Sequence, residues 1–362
     1  MSTTYGKNLK ITIYGGSHDE RIGIIAEGMP KGFEVDTAAL LGFMKRRAPG
    51  QNAHSTARRE ADEPVFLSGV SDGTLNGDTL HAVIYNTNQR SQDYSDLAFI
   101  PRPSHADFAA RMKYGESVDL RGGGHFSGRL TAPMCVVGGI CKQYLASRGI
   151  YVGAHVYCVG NEYDTPYDMV GLDKETLLSA GASDFPTIDE HAGERMRNII
   201  EEARAEGDSV GGIVECAAIG LPAGLGEHMF DGVEGRVAAL LFSVPAVKGV
   251  EFGAGFAAAT MTGSEHNDPF VTDGKAVTTA TNNAGGILGG MTTGMPLICR
   301  AAFKPTPSIA KEQKTVSLSH MENTTLSVGG RHDPCILPRA VPVVEAAVAI
   351  ALVDLLLDEE TR

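Results

Sequence analysis

At 362 residues the chain is long enough to bury a large core, and its formal net charge of −13 argues against general affinity for nucleic acid. Its 44 glycines follow no period, which excludes collagen and repeat arrays, and its longest apolar run, residues 346–357, is interrupted by Asp354 and too short for a bilayer crossing. Six cysteines without CxxC spacing, and an amino terminus without an apolar leader core, predict free thiols and a cytoplasmic location, with neither membrane nor metal involved.

In chain order, residues 10–14 alternate like a strand and run into Gly15-Gly16-Ser17-His18-Asp19, and residues 22–27 read as a second strand. His18 is then either a turn residue or a catalyst. Asp36 caps a predicted helix over residues 38–47, and Lys45, Arg46, Arg47, Arg58 and Arg59 make a local basic spot suited to one small anion. Residues 65–86 are strand-rich. In FIPRPSHAD, residues 99–107, two prolines hold the backbone extended and present His105 from a stiff segment, as an acid, a base or a structural histidine.

The stretch LRGGGHFSGRLTAPM, residues 120–134, is the most distinctive in the chain. Gly122, Gly123 and Gly124 leave the backbone bare, so that their N–H groups could converge on an anion, and an apolar helix follows to Arg148. Further on, strands are predicted over residues 152–159, 213–218 and 247–252, and helices over 189–206 and 233–242. NNAGGILGGMTTG, residues 282–294, is a backbone that something approaches closely or a packed strand corner. Lys304, Pro305, Thr306, Pro307 and Ser308 form a rigid loop with a cation and hydroxyls, suited to phosphate or ring contacts. An apolar helix closes the chain over residues 340–357. Strands alternating with helices, without a G-x-G-x-x-G after the first strand, predict an α+β fold, and no linker divides it, so one domain over residues 1–362 is expected.

Taken together, these stretches resemble the chorismate synthase family over residues 5–357. The resemblance is carried by GGSHD (15–19), the PGQ loop (47–59), NTNQRSQDY (86–94), RPSHAD (102–107), RGGGHFSGR (121–129), GDSVG (207–211), LPAGLGE (221–227), AVKGVE (246–251), AGGILGG (284–290), KPTPSI (304–309) and GRHDPC (330–335). It implies a β-α-β sandwich with antiparallel sheets around helices. It implies a lyase that uses reduced FMN for the 1,4-anti elimination of phosphate from 5-enolpyruvylshikimate 3-phosphate, giving chorismate. A homotetramer and an external, NADPH-linked flavin reductant follow from the same resemblance. By position in the motifs, His18 would be the acid near the leaving phosphate, His105 would favour the anion of the reduced flavin, and Asp333 would relay a proton at the flavin. Arg47 and Arg129 would hold substrate anions. His125, Phe126, Ser127, Ala246, Gly289, Lys304, Pro305, Thr306, Pro307, Ser308 and Arg331 would line the FMN site. Two histidines in such roles imply a bell-shaped pH profile.

The sequence also departs from the family pattern, at Gly16, Asp19, Ala48, Ala53 beside His54, His125 and Pro245. Lost guanidinium groups remove bidentate phosphate contacts that alanine cannot replace. A same-fold lyase for a related phosphorylated ring, and a flavin-binding homologue without catalysis, are the alternatives these changes leave open.

Overall fold

The computed structural model describes residues 2–50, 60–86, 99–329 and 332–360. The first part of the chain forms β1 (Ser2–Tyr5), β2 (Lys10–Tyr14), β3 (Arg21–Glu27), helix α1 (Thr37–Arg47), β4 (Val65–Ser68), β5 (Val70–Ser71), β6 (Thr74–Leu75) and β7 (Leu80–Tyr85). Next come α2 (Asp107–Tyr114), α3 (Thr131–Ser147), β8 (Tyr151–Val159), β9 (Glu162–Tyr163), α4 (Lys174–Ala180), α5 (Glu190–Ala205), β10 (Gly212–Ile219), α6 (Val233–Ser243) and β11 (Val247–Phe252). The remainder is α7 (Gly263–His266), β12 (Phe270–Thr272), β13 (Val277–Thr279), β14 (Ile287–Leu288), β15 (Met291–Thr292), β16 (Leu297–Phe303), β17 (Gln313–Ser317), β18 (Glu322–Leu326) and α8 (Leu337–Glu360).

Two antiparallel five-stranded sheets enclose the long helices. Their strand orders are β1-β2-β3-β7-β4 and β11-β16-β10-β8-β9, the second paired with Cys216 opposite Cys299 and Ala154 opposite Cys216. The first sheet turns Ile11, Ile22, Ile24, Ala26, Ala82 and Ile84 inward, and α3 packs on it; α8 packs on the second sheet and on α3. Small residues permit the close crossing of α3 and α8: a Cβ on Gly138 would lie 2.3 Å from that of Ala346. The expected sandwich of antiparallel sheets around helices is therefore what the chain adopts.

The closing helix is longer than its apolar run suggests. At 24 residues α8 has the length and composition of a bilayer span, yet 94% of its most apolar window is buried inside the protein. Two of its charged residues are spent internally. Asp354, with no exposed surface, accepts the N–H groups of Lys7, Asn8 and Leu9 and a hydrogen bond from Arg236 Nη1 at 2.6 Å. Glu345 binds Arg46 and Lys142.

One glycine-rich stretch proves to be a packing device. In NNAGGILGG, a Cβ on Gly285 would meet Gly253 N at 2.4 Å and one on Gly286 would meet Pro296 O at 2.5 Å, so this stretch is the packed corner. The basic spot does not converge as a unit, because Arg46 turns to Glu345 while Arg47 turns the other way; Arg58 and Arg59 lie outside the described residues.

Candidate active site

Where α1, the glycine run, the 102–107 segment, the end of β16 and the start of α8 meet, they enclose a cavity of about 940 Å³. Its wall includes Arg47, Arg102, His105, His125, Phe126, Ser127, Arg129, Ala246, Lys304, Thr306, Pro307, Ser308, Asp333 and Arg339. Most of the residues singled out in the sequence are thus brought together. Pro305 points outward from its loop and is not part of this wall. Gly289 sits exposed in the turn between β14 and β15, away from the lining residues. Arg331, Ala53 and His54 lie outside the described residues, as does most of NTNQRSQDY.

The glycine run is a spacer between histidines. All three glycines have positive φ, and a Cβ on Gly122 would lie 2.2 Å from the His18 ring, while one on Gly123 would lie 3.4 Å from His105 Nε2. A side chain at Gly122 would push His18 away, whereas one at Gly123 would only touch His105 and is disfavoured by its φ of +91°. The N–H of Gly123 is given to Leu120 O, so that donor is not directed at a ligand. His18 itself is not among the wall residues; it lies against Gly122, which is. Its Nδ1 is 3.3 Å from Ser17 Oγ, and because Ser17 donates its only hydroxyl proton to Arg121 O, the proton of that contact belongs to His18.

Carboxylates hold the arginines in place. Asp62, whose side chain is fully buried, accepts hydrogen bonds from Arg47 Nη1 at 2.6 Å and from Arg129 Nη1. Arg47 also donates to Thr131 Oγ1 and Gly128 O; Arg129 donates to Asn86 Oδ1 and faces Glu60 at 3.3 Å. Burial works against the charge of Asp62, but the two arginines outweigh it and keep its carboxyl below the ordinary range. Next to this group, Arg339 Nη1 donates to Asp333 at 2.5 Å and its Nε to the carbonyl of Arg47. Arg102 binds Asp107 through Nε and Nη2 and reaches Ser308 Oγ through Nη1. Every arginine on this wall therefore has a carboxylate. Lys248 and Lys304 have none among the described residues; Lys304 Nζ bonds to Ser104 O, and burial, followed by the charge of Lys248, draws its pKa down.

Strain gathers here as well. Of the non-glycine residues in the left-handed region, Ser104 and Ala246 line the cavity and Asp62 lies behind Arg47 and Arg129. Ala246 O accepts the N–H of Lys304, which links the AVKGVE and KPTPSI segments.

The residues that sequence reasoning left without a role are Asp62, Arg102, Asp107, Lys248 and Arg339. Two of them stand inside the quoted motif RPSHAD, so a signal existed there. The pairing of Asp62 with arginines 15 and 67 residues away leaves no local trace.

A cavity walled by paired arginines, two lysines that meet no carboxylate among the described residues, histidines and backbone under strain, set between two antiparallel sheets, defines an enzyme for a small anionic ligand. The chain belongs to the chorismate synthase family, whose profile matches residues 9–357. It is 45% identical to the chorismate synthase of Lancefieldella parvula, over 98% of this chain and 96% of that protein. It is 47% identical to the chorismate synthase of Thermococcus gammatolerans, with 97% of each chain covered. A crystal structure of a chorismate synthase superposes with a TM-score of 0.75 at 28% identity, covering 98% of this chain and 93% of the other. The activity is accordingly that of a carbon–oxygen lyase acting on phosphates, the chorismate synthase reaction, in which reduced FMN is the family's cofactor.

Proposed function

We propose that this cavity is where the chain binds reduced FMN and 5-enolpyruvylshikimate 3-phosphate and eliminates phosphate to give chorismate. The observation that carries the reading is the convergence on one cavity of His105, Arg47, Arg129, Asp333 and the loop of Lys304, Thr306, Pro307 and Ser308. The residues present suit a flavin: Thr306 Oγ1 is buried on this wall with no hydrogen-bond partner among the described residues, and Lys304 stands beside it. Phe126, His125, Ser127 and Ala246 line the same cavity. When bound, reduced FMN supplies electron density to the allylic centre and accepts the ring hydrogen.

The chain's own groups do the rest. His18 gives a proton to the departing phosphate, and its Nδ1–H contact with Ser17 leaves Nε2 as the other proton-carrying position. His105 places a cation against the reduced cofactor. Asp333, ordered by Arg339, moves a proton at the part of the cavity near Arg47. Arg47 and Arg129 hold substrate anions through the N–H groups that Asp62, Thr131 and Gly128 leave over, while Lys248 and Lys304 supply uncompensated charge. His125, where the family pattern has arginine, bonds Gly15 O through Nδ1 at 2.8 Å, so the ring is fixed and its other nitrogen is available to the cavity side. This supports a rebuilt pocket over an emptied one. One domain, a homotetramer, a cytoplasmic location and an external flavin reductant complete the proposal; a hydrophobic core running through both sheets supports the first of these.

Anaerobic turnover with dithionite-reduced FMN tests it, following phosphate and chorismate together. Chorismate in step with phosphate, lost in His18→Ala, is the expected result. Saturable FMN binding without turnover would instead select a related substrate or a non-catalytic homologue.

A further inference from the structure

His105 is held by a partner that the reading of its role does not include. Its Nδ1 lies 2.6 Å from Asp107 Oδ1, and Asp107 is in turn gripped by the backbone N–H, Nε and Nη2 of Arg102 at 3.1, 2.7 and 2.8 Å. Asp107 is 2% exposed and stands in the first turn of α2. Arg102 Nη2 also lies 3.0 Å from Nδ1, but it donates to Asp107 Oδ1 at 2.8 Å; the carboxylate, an acceptor only, is the nearer partner at 2.6 Å, so the proton of that contact sits on His105 Nδ1. The other nitrogen is thereby assigned. Nε2 faces the glycine run, where a Cβ on Gly123 would come within 3.4 Å, and among the described residues no hydrogen-bond partner reaches it.

We infer that Asp107 is a positioning residue for the reaction: with Arg102 behind it, it fixes the tautomer of His105 so that Nε2 is the nitrogen presented to the cavity, and it stabilises the imidazolium form. The inference rests on the proposed role of His105. The charged groups around that ring are Arg102 and Asp107 from its own segment and Lys304, whose Nζ bonds Ser104 O, from the end of β16. Both neighbouring cations oppose a proton on His105, and Asp107 is the single carboxylate opposing them in this group. The same Arg102 also donates to Ser308 Oγ at 3.1 Å, so one guanidinium sets the angle of the histidine and ties its segment to the loop bearing Thr306.

Burial works to raise the carboxyl of Asp107, but the hydrogen bonds from Arg102 and His105 outweigh it and hold it well below the ordinary carboxylate range. It therefore stays ionised across the range in which the enzyme works.

Two measurements test the inference. The first needs no variant: nitrogen NMR of the flavin-free protein labelled at histidine reads the neutral tautomer directly. The expected signal for His105 is Nδ1–H; an Nε2–H tautomer overturns the proposal. The second is the pH profile of turnover. The limb that vanishes in His105→Ala is expected to move to lower pH by about one unit or more in Asp107→Asn, because an opposite charge at this distance is worth that much. Asp107→Glu is expected to restore most of the shift. If Asp107→Asn lowers activity at every pH without moving the limb, Asp107 is structural and the inference fails. If His105→Ala leaves rate and profile unchanged, it is the role of His105 that fails, and the tautomer measurement still decides what Asp107 does.

Discussion

Gly122 carries the sharpest consequence at the scale of single residues. Its φ of +57° and the absence of a side chain are both required, since a methyl group would overlap the His18 ring. Gly122→Ala is expected to lower kcat at least tenfold while the folded protein still binds FMN; circular dichroism with a flavin titration separates the two. Asp62 makes a different prediction. Removing one member of a buried ion cluster leaves charge uncompensated, so Asp62→Ala should cost about 3–5 kcal/mol in urea unfolding at neutral pH. Its carboxyl is depressed in the fold, so its contribution is present above the unfolded value near pH 4 and is lost as pH falls through the folded one. The gap between wild type and variant should therefore close in acid. Motif resemblance pointed to the histidines and arginines of the site, but the acids that orient them were invisible. Asp62 acts across separations that only the folded chain defines, and Asp107 lies two residues from His105 in a motif whose internal bonds no spacing rule reveals; Asp333 was singled out, but its pairing with Arg339 was not.

Among elements, the long ones were legible and the short ones were not. β2 and β11 have the bounds that their alternation predicts, and α3, α5 and α6 differ by a residue or two at their ends. α2 was missed because Ala106 offers no side-chain cap and only eight residues follow. α4 has a capping aspartate, Asp173, accepting from Thr176 N, yet seven residues are too few for a periodic pattern to show. The second sheet also hides a pH-sensitive cluster. His155, with no exposed surface, bonds Asp164 at 2.8 Å and Glu215 at 3.0 Å, and Arg300 pairs with Glu215 on the other side. Burial works to lower the pKa of His155, but the two carboxylates outweigh it and raise it. A raised histidine contributes most below its unfolded value, near pH 6.5, and loses that contribution as pH rises through the folded one. The stability difference between wild type and His155→Gln is thus expected to be largest at about pH 6 and to shrink above it, as read from unfolding midpoints across the range.

For the molecule as a whole, ligand binding and folding are linked. If the cavity takes FMN in the folded state alone, flavin at a hundred times its dissociation constant adds about 2.7 kcal/mol of stability. Thermal unfolding should then shift upward by about 3 °C or more, and Thr306→Val should reduce the shift without lowering the midpoint of the flavin-free protein. An unchanged midpoint with flavin would remove the cavity from consideration as its site.

The carboxylate of Asp354 joins the two ends of the chain, for it accepts the N–H groups of residues 345 to 347 positions earlier. During synthesis, at roughly 5–20 residues per second, the turn at Lys7, Asn8 and Leu9 waits about 20–70 s for its acceptor to emerge from the ribosome. Helix α3, which packs on the first sheet, is made long before then, but α8 is still missing from against it. A chain stopped before Asp354 would therefore leave the N–H groups of that turn without their acceptor and cut α8 short where it packs on α3.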